Sequence, residues 1–149
     1  MSYVQVLIHC VFRTYRSQPT LPTDKSIEFL YRDIWGIIEN KGGHLYKINS
    51  MPDHVHILFT IPSTITLADM MKAIKGSTSR TLKDVAGFED FRGWGNGYAA
   101  ISHNLKDKYM IINYIKNQQE HHKDTTFKDE YIQFAREMGM EIDERDWTR

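Results

Sequence analysis

The opening segment YVQVLIHCVF places Val4, Val6, Ile8, Cys10 and Phe12 in alternation with Tyr3, Gln5, Leu7, His9 and Val11. Both sets are largely apolar, which predicts a central strand covered on two sides. RTYRSQPTLPT follows with two prolines and predicts a loop, and Thr23-Asp24 a helix start. From Ile27 the apolar positions Ile27, Leu30, Tyr31, Ile34, Ile37 and Ile38 recur at helical spacing, giving one buried stripe. KGGH ends that helix, because glycine supplies the left-handed cap. HLYKINS then predicts a second strand, Met51-Pro52-Asp53 a turn and HVHILFTI a third strand, so the two form a hairpin.

A second helix is predicted from about Thr66, with Leu67, Met70, Met71, Ile74 and Leu82 inward and Lys72, Lys75, Ser79 and Lys83 on the opposite side. GWGNGY is a glycine-rich loop, YAAIS a short fourth strand, Leu105 to about His122 a third helix, and TFKDEYIQFAREMG a fourth. The order β-α-β-β-α-β followed by helices predicts an α+β fold. Its form is a ferredoxin-like antiparallel sheet with helices on one face and a C-terminal tyrosine-bearing helix. A chain of 149 residues supports one domain with a real core, so residues 1–149 are expected to form a single domain.

Composition narrows the class. With 41% hydrophobic and 26% charged residues the chain is globular rather than disordered. No stretch approaches the ~20 apolar residues of a membrane span, and the first residues lack a basic leader and cleavage site. A cytoplasmic protein with no membrane partner is therefore expected. A lone cysteine, Cys10, excludes an internal disulfide and a cysteine-based metal cluster. The formal net charge is zero but unevenly spread: residues 1–83 hold ten basic against six acidic side chains, and residues 84–149 nine against thirteen. Lys72 to Lys83, KAIKGSTSRTLK, carries four basic residues and no acid, which suits either a nucleic-acid contact or a solvated helix face.

Candidate chemistry centres on MPDHVHILF. Alternation on a strand sends His54, His56 and Leu58 to one face and Val55, Ile57, Phe59 and Ile61 to the other. Side chains two apart on a strand stand roughly 6.5–7 Å apart at the backbone, a span that two imidazoles bridge by converging on one divalent ion. An isolated H-x-H pair is far more often a pair of ordinary histidines, so the surrounding pattern matters. Two nitrogens are too few for a catalytic ion, and a third ligand is expected from elsewhere. NYIKNQQEHH offers candidates: on an ideal helix Tyr114 and Gln118 differ by about 40° and share a face, whereas Tyr109 lies about 140° from Tyr114. A tyrosine hydroxyl beside a cation is a usable nucleophile, although packing at a core edge is the commoner fate of a helical tyrosine. His121, three positions beyond Gln118, is an alternative ligand.

MPDHVHILF followed by YIKNQQEHH resembles the single-tyrosine HUH transposases of the IS200-like insertion-sequence class, where U is a hydrophobic residue. The resemblance extends over nearly the whole chain, through HCVFRTYRSQPTL, WGNGYAAIS and FKDEYIQFAREMGMEIDE. It implies a DNA transposase in which His54, His56 and Gln118 ligate a divalent metal, Mg²⁺ or Mn²⁺, and Tyr114 is the nucleophile. Single-stranded DNA at insertion-sequence ends would be cut through a 5′-phosphotyrosine link and rejoined without a nucleotide cofactor. It further implies a DNA hairpin as partner, and a homodimer in which the tyrosine helix of one subunit completes the histidine site of the other. Lys72, Lys75, Arg80 and Lys83, with Arg13 and Arg16 as a second group, are candidate DNA phosphate contacts. Two other classes compete. One is a domesticated, non-catalytic hairpin-binding protein on the same fold, although the strands offer only Tyr3 and Tyr46 for stacking. The other is a small metal-binding or regulatory protein whose tyrosine is structural.

Overall fold

A computed structural model of the chain describes residues 1–137 and 139–143. Met138 and the last six residues, 144–149, lie outside the described residues. The first apolar alternation becomes β1 (Leu7–Arg13), all seven residues of which are buried. It is shorter than predicted, since pairing begins at Leu7 rather than near Tyr3. Next comes α1 (Glu28–Asn40), which buries Leu30, Ile34 and Ile38, the middle of the predicted stripe. Gly42, at φ 92°, ends it as the glycine pair predicts. Gly43 has a different reason to be glycine: a Cβ there would lie 2.5 Å from the carbonyl oxygen of Thr60.

The hairpin forms from β2 (His44–Met51) and β3 (His54–Thr60), joined at Pro52-Asp53. Then comes α2 (Leu67–Thr81), whose first turn is capped by Thr66 Oγ1 accepting from the Asp69 amide at 3.0 Å. Last in the sheet is β4 (Ala99–His103). The four strands lie in the order β2-β3-β1-β4, every neighbouring pair antiparallel, which is the predicted ferredoxin-like arrangement.

Alternation divides this sheet. Ile8, Cys10 and Phe12 of β1 and Val55, Ile57 and Phe59 of β3 meet α1 and α2 in the main core. Leu7 and Leu58 point the other way and pack with Ile111 and Ile115 of α3 (Lys108–Lys116). That second face is completed by α4 (Gln118–His121) and α5 (Phe127–Glu137). Helices on one face therefore describes α1 and α2 alone. The later helices close the other face, and the histidines presented there are buried rather than open to solvent.

The third predicted helix, Leu105 to His122, is not continuous. A short 3₁₀ turn (Leu105–Asp107) precedes α3, and Asn117, at φ −95° and ψ 18°, separates α3 from α4. The cause lies outside the helix. Asn49 of β2 donates Nδ2–H to the Ile115 carbonyl at 2.8 Å, and Gln119 donates to the Ser50 carbonyl at 3.1 Å. Asn49 and Gln119 also exchange amide hydrogen bonds at 2.8 and 2.9 Å. These bonds hold the bend against the edge strand, with Asn49 directly opposite His56.

Candidate active site

β3 delivers both histidines to the covered face. Arg13 and Met51 stand opposite His54, and Val11 and Asn49 opposite His56. His54 is fully buried, its ring stacked on Phe127 of α5 at 3.8 Å and nearly parallel to it. Its Nδ1 meets Asp53 Oδ1 at 2.6 Å, so that nitrogen carries the proton and Nε2 keeps its lone pair. Nε2 has no hydrogen-bond partner and lies 3.8 Å from Glu130 Oε1. His56 presents Nε2 to the same Glu130 oxygen at 3.2 Å, and its Nδ1 meets His9 Nε2 of β1 at 2.9 Å. His122, just past α4, donates Nδ1–H to the Thr125 carbonyl at 2.8 Å, with Nε2 3.2 Å from Glu130 Oε1.

Glu130 is the hub. Only 6% exposed, it accepts from the Tyr114 hydroxyl on Oε2 at 2.8 Å, and His121 Nε2 lies 2.8 Å from that oxygen. His54, His56, His122 and Glu130 can each offer one ligand atom, all within 4.8 Å of one another. Three imidazole nitrogens and a carboxylate oxygen, two rings already oriented through Nδ1 with their Nε2 atoms making no hydrogen bond, fit a divalent cation. Of Mg²⁺ and Mn²⁺, a donor set this rich in nitrogen suits Mn²⁺ better.

The electrostatics follow from burial. Desolvation lowers His56 to about 4 despite the opposing pull of Glu130, so the ring is neutral near pH 7. His9 is likewise pushed well down by burial and then by His56 and His103. Burial would raise Glu130, but the contacts from His122, His56 and Tyr114 outweigh it and hold the carboxyl far below the usual range. Burial lowers His122, yet its approach to Glu130 leaves the net shift upward. Burial, and then the charge of Glu130, raises Tyr114 beyond its ordinary value. With Glu130 as its acceptor, Tyr114 is a neutral phenol. Neutralising Glu130 is the change that would ease its ionisation.

Gln118 is wholly buried in the first turn of α4, and neither side-chain amide atom has a hydrogen-bond partner. It lies close enough to Tyr114 to oppose part of that residue's upward shift. Tyr114 stands over the histidine pair of its own chain, its ring centroid 5.9 Å from that of His56. It also borders a cavity of about 440 Å³ lined by His9, His103, Met110, Phe134 and Glu137. Tyr109 is exposed, as its helical position predicts.

The candidate DNA contacts separate into two sets. Arg16, Lys72, Arg80 and Lys83 are exposed. Arg13 is buried, donating to Ser17 Oγ at 3.2 Å and packed beneath Gly95. Lys75 is half-buried, its Nζ donating to the carbonyls of Gly95 at 2.7 Å and Gly97 at 2.9 Å. The glycine-rich loop folds back over these two side chains, which helical periodicity alone does not reveal.

Sequence reasoning missed His9, Asp53, His122 and Glu130. His9 had a signal, a polar residue among the apolar positions of a central strand. His122 had a partial one, since only its neighbour His121 was considered. Glu130 had none, because its role depends on where α5 docks.

The chain matches the family model described as transposase, IS200-like, over residues 2–118. That range includes His54, His56, Tyr114 and Gln118 and stops short of His122 and Glu130. A protein described as a transposase from Deinococcus radiodurans R1 superposes with a TM-score of 0.58 at 25% identity, covering 79% of this chain and 95% of that one. A REP-associated tyrosine transposase bound to a REP hairpin superposes with a TM-score of 0.58 at 16% identity, covering 82% and 72%. The second likeness is one of fold. No curated protein matches the chain significantly.

Proposed function

Because the chain belongs to the IS200-like transposase family, we propose that it cuts and rejoins single-stranded DNA at insertion-sequence ends with Tyr114 as nucleophile. The observation that carries this reading is the meeting of the Tyr114 hydroxyl with the largely buried His54, His56, His122 and Glu130 cluster in one chain. Tyr114 attacks the scissile phosphodiester, its oxygen forming the bond to phosphorus as the 3′-oxygen leaves. The products are a 5′-phosphotyrosine link and a free 3′-hydroxyl, and attack by another 3′-hydroxyl reverses the step. A divalent cation held by His54 and His56, with Gln118 or the Glu130–His122 pair completing the set, would supply charge to the transferring phosphoryl group. Mn²⁺ is the better match for the nitrogen donors, and Mg²⁺ the alternative.

Tyr114 must first leave Glu130, because that hydrogen bond points its proton at the carboxylate and keeps the phenol neutral. Were Glu130 to serve as a metal ligand it would give up that hydrogen bond, and the freed hydroxyl borders a cavity. Phe127 stacked on His54 and the packing of α5 exclude water from the histidines.

A single-stranded DNA hairpin is the proposed partner, supported by the hairpin bound to one structural neighbour. Lys72, Arg80, Lys83 and Arg16 are the proposed phosphate contacts, while Arg13 and Lys75 act by holding the glycine-rich loop. A homodimer is proposed from the family resemblance. Since each chain sets Tyr114 against its own histidines, exchange of α3 between copies is not needed to build a site. No described helix is long and apolar enough to cross a membrane.

The test is to incubate the protein and its Tyr114→Phe variant with a pool of single-stranded DNA hairpins and Mn²⁺, and to run a denaturing gel. A covalent adduct seen only with Tyr114 supports strand transfer. Hairpin binding without an adduct favours the domesticated, non-catalytic reading, which the hydrogen bond holding the Tyr114 hydroxyl on Glu130 would then explain.

A further inference from the structure

Each of the three clustered histidines is held through the ring nitrogen that faces away from the cluster. For His54 the holder is the Asp53 carboxylate, and for His122 the Thr125 carbonyl. Both are obligate acceptors, so each places a proton on Nδ1 and aims Nε2 at the cluster, where a cation can take over the contact with Glu130. His56 differs, because its Nδ1 meets another imidazole, His9 Nε2, at 2.9 Å. An imidazole nitrogen can donate or accept, so this contact does not by itself fix the His56 tautomer.

Two arrangements are possible, and they have opposite consequences. If His9 donates Nε2–H to His56 Nδ1, the neutral His56 ring carries its proton on Nε2. That proton then points at the Glu130 carboxylate, as their 3.2 Å contact calls for while no cation is bound, and no lone pair faces the cluster. If His9 Nε2 accepts from His56 Nδ1–H, the His56 Nε2 lone pair points at the position shared with His54 and His122. Only the second arrangement makes His56 a ligand.

His9 is placed to accept from His56 Nδ1–H once a cation replaces the proton on Nε2. It lies on the central strand, one register step diagonally from His56, since Val11 is the residue directly opposite. At 2% exposed it is almost wholly buried. The edge of Phe134 packs against its ring at 5.3 Å, which limits rotation away from His56.

We infer that His9 is a positioning residue of the metal site, its Nε2 serving as the acceptor that holds His56 in the tautomer able to bind a divalent cation. The inference rests on the metal reading given above, and its test separates the two. Mn²⁺ affinity is measured by electron paramagnetic resonance titration of the full chain, its His9→Leu variant and its His9→Gln variant. Leucine removes the acceptor, whereas glutamine returns an oxygen near the position of Nε2.

His9→Leu is expected to weaken Mn²⁺ binding about 10- to 100-fold, with His9→Gln restoring it to within about threefold of the native chain. Equal affinity in the native and leucine chains overturns the role of His9 and leaves the metal site standing. Failure of the native chain to bind Mn²⁺ overturns the metal reading and His9 with it. Because a buried leucine can also disturb folding, a second measurement uses the native chain loaded with diamagnetic Zn²⁺. Nitrogen-15 spectra of the imidazoles are expected to show His56 Nδ1 protonated and His9 Nε2 bare, and the reverse pattern refutes the inference.

Discussion

Replacing Glu130 with glutamine keeps the shape of the hub and removes its charge. The native carboxylate is 6% exposed and meets the Tyr114 hydroxyl and His121 Nε2 at 2.8 Å, and His56 and His122 Nε2 at 3.2 Å. Glutamine offers one acceptor oxygen where the carboxylate offers two, and turns an NH₂ group toward nitrogens that now donate. Exchanging a charged hydrogen bond for a neutral one forfeits about 1 kcal/mol. Taking the contacts of Tyr114, His56 and His122 and leaving out the more exposed His121, the expected loss is about 3 kcal/mol, the low end of what breaking a buried ion pair costs. For a chain of this size that lowers Tm by roughly 6–12 °C. The pH dependence has a definite sign. Glu130 is depressed, so its contribution is present above the ordinary carboxylate value of 4.5 and lost as pH falls through its lowered pKa. His122 is raised, so its contribution is complete below the ordinary 6.5 and is lost as pH rises through its folded pKa. The gap between the native chain and Glu130→Gln is therefore widest at about pH 5–6.5 and narrows toward pH 8.5. Thermal unfolding by circular dichroism in EDTA across that range measures it. A gap of less than about 1 kcal/mol at pH 6, or one that widens as pH rises, would refute the assignment of Glu130 as a charged hub.

Three further outcomes are expected. Asp53→Asn leaves His54 Nδ1 without its carboxylate and should weaken Mn²⁺ binding about tenfold, read by calorimetric titration, with little change in fold. Gly43→Ala should destabilise the chain by roughly 1–3 kcal/mol in urea unfolding, because its Cβ would meet the Thr60 carbonyl at 2.5 Å in the backbone of β3. Lys72→Ala, at an exposed position, should weaken hairpin binding and reduce the salt slope by about one, whereas Lys75→Met should mainly lower Tm because its bonds go to Gly95 and Gly97. An unchanged salt slope for Lys72→Ala would remove Lys72 from the DNA-binding surface.

Local pattern was enough for most of the fold and part of the site. Strand alternation in YVQVLIHCVF and HVHILFTI, the helical stripe from Ile27 and the glycines of KGGH report backbone period and φ, which neighbouring residues dictate. The same rule sent His54 and His56 to one face, and helical phase put Tyr114 and Gln118 together. The cover on the histidine face was not legible, since α3 to α5 dock there through contacts between residues far apart in the chain. The bend at Asn117 comes from Asn49 and Gln119 rather than from any helix breaker, and the burial of Lys75 from a loop some twenty residues later. Glu130 and His9 became site residues only when α5 and β1 were laid against β3. Residue type and spacing thus determined which elements form and which side chains share a face. Long-range packing alone decided which charges are stripped of water and which groups then pair, because both depend on distances that the sequence does not encode locally.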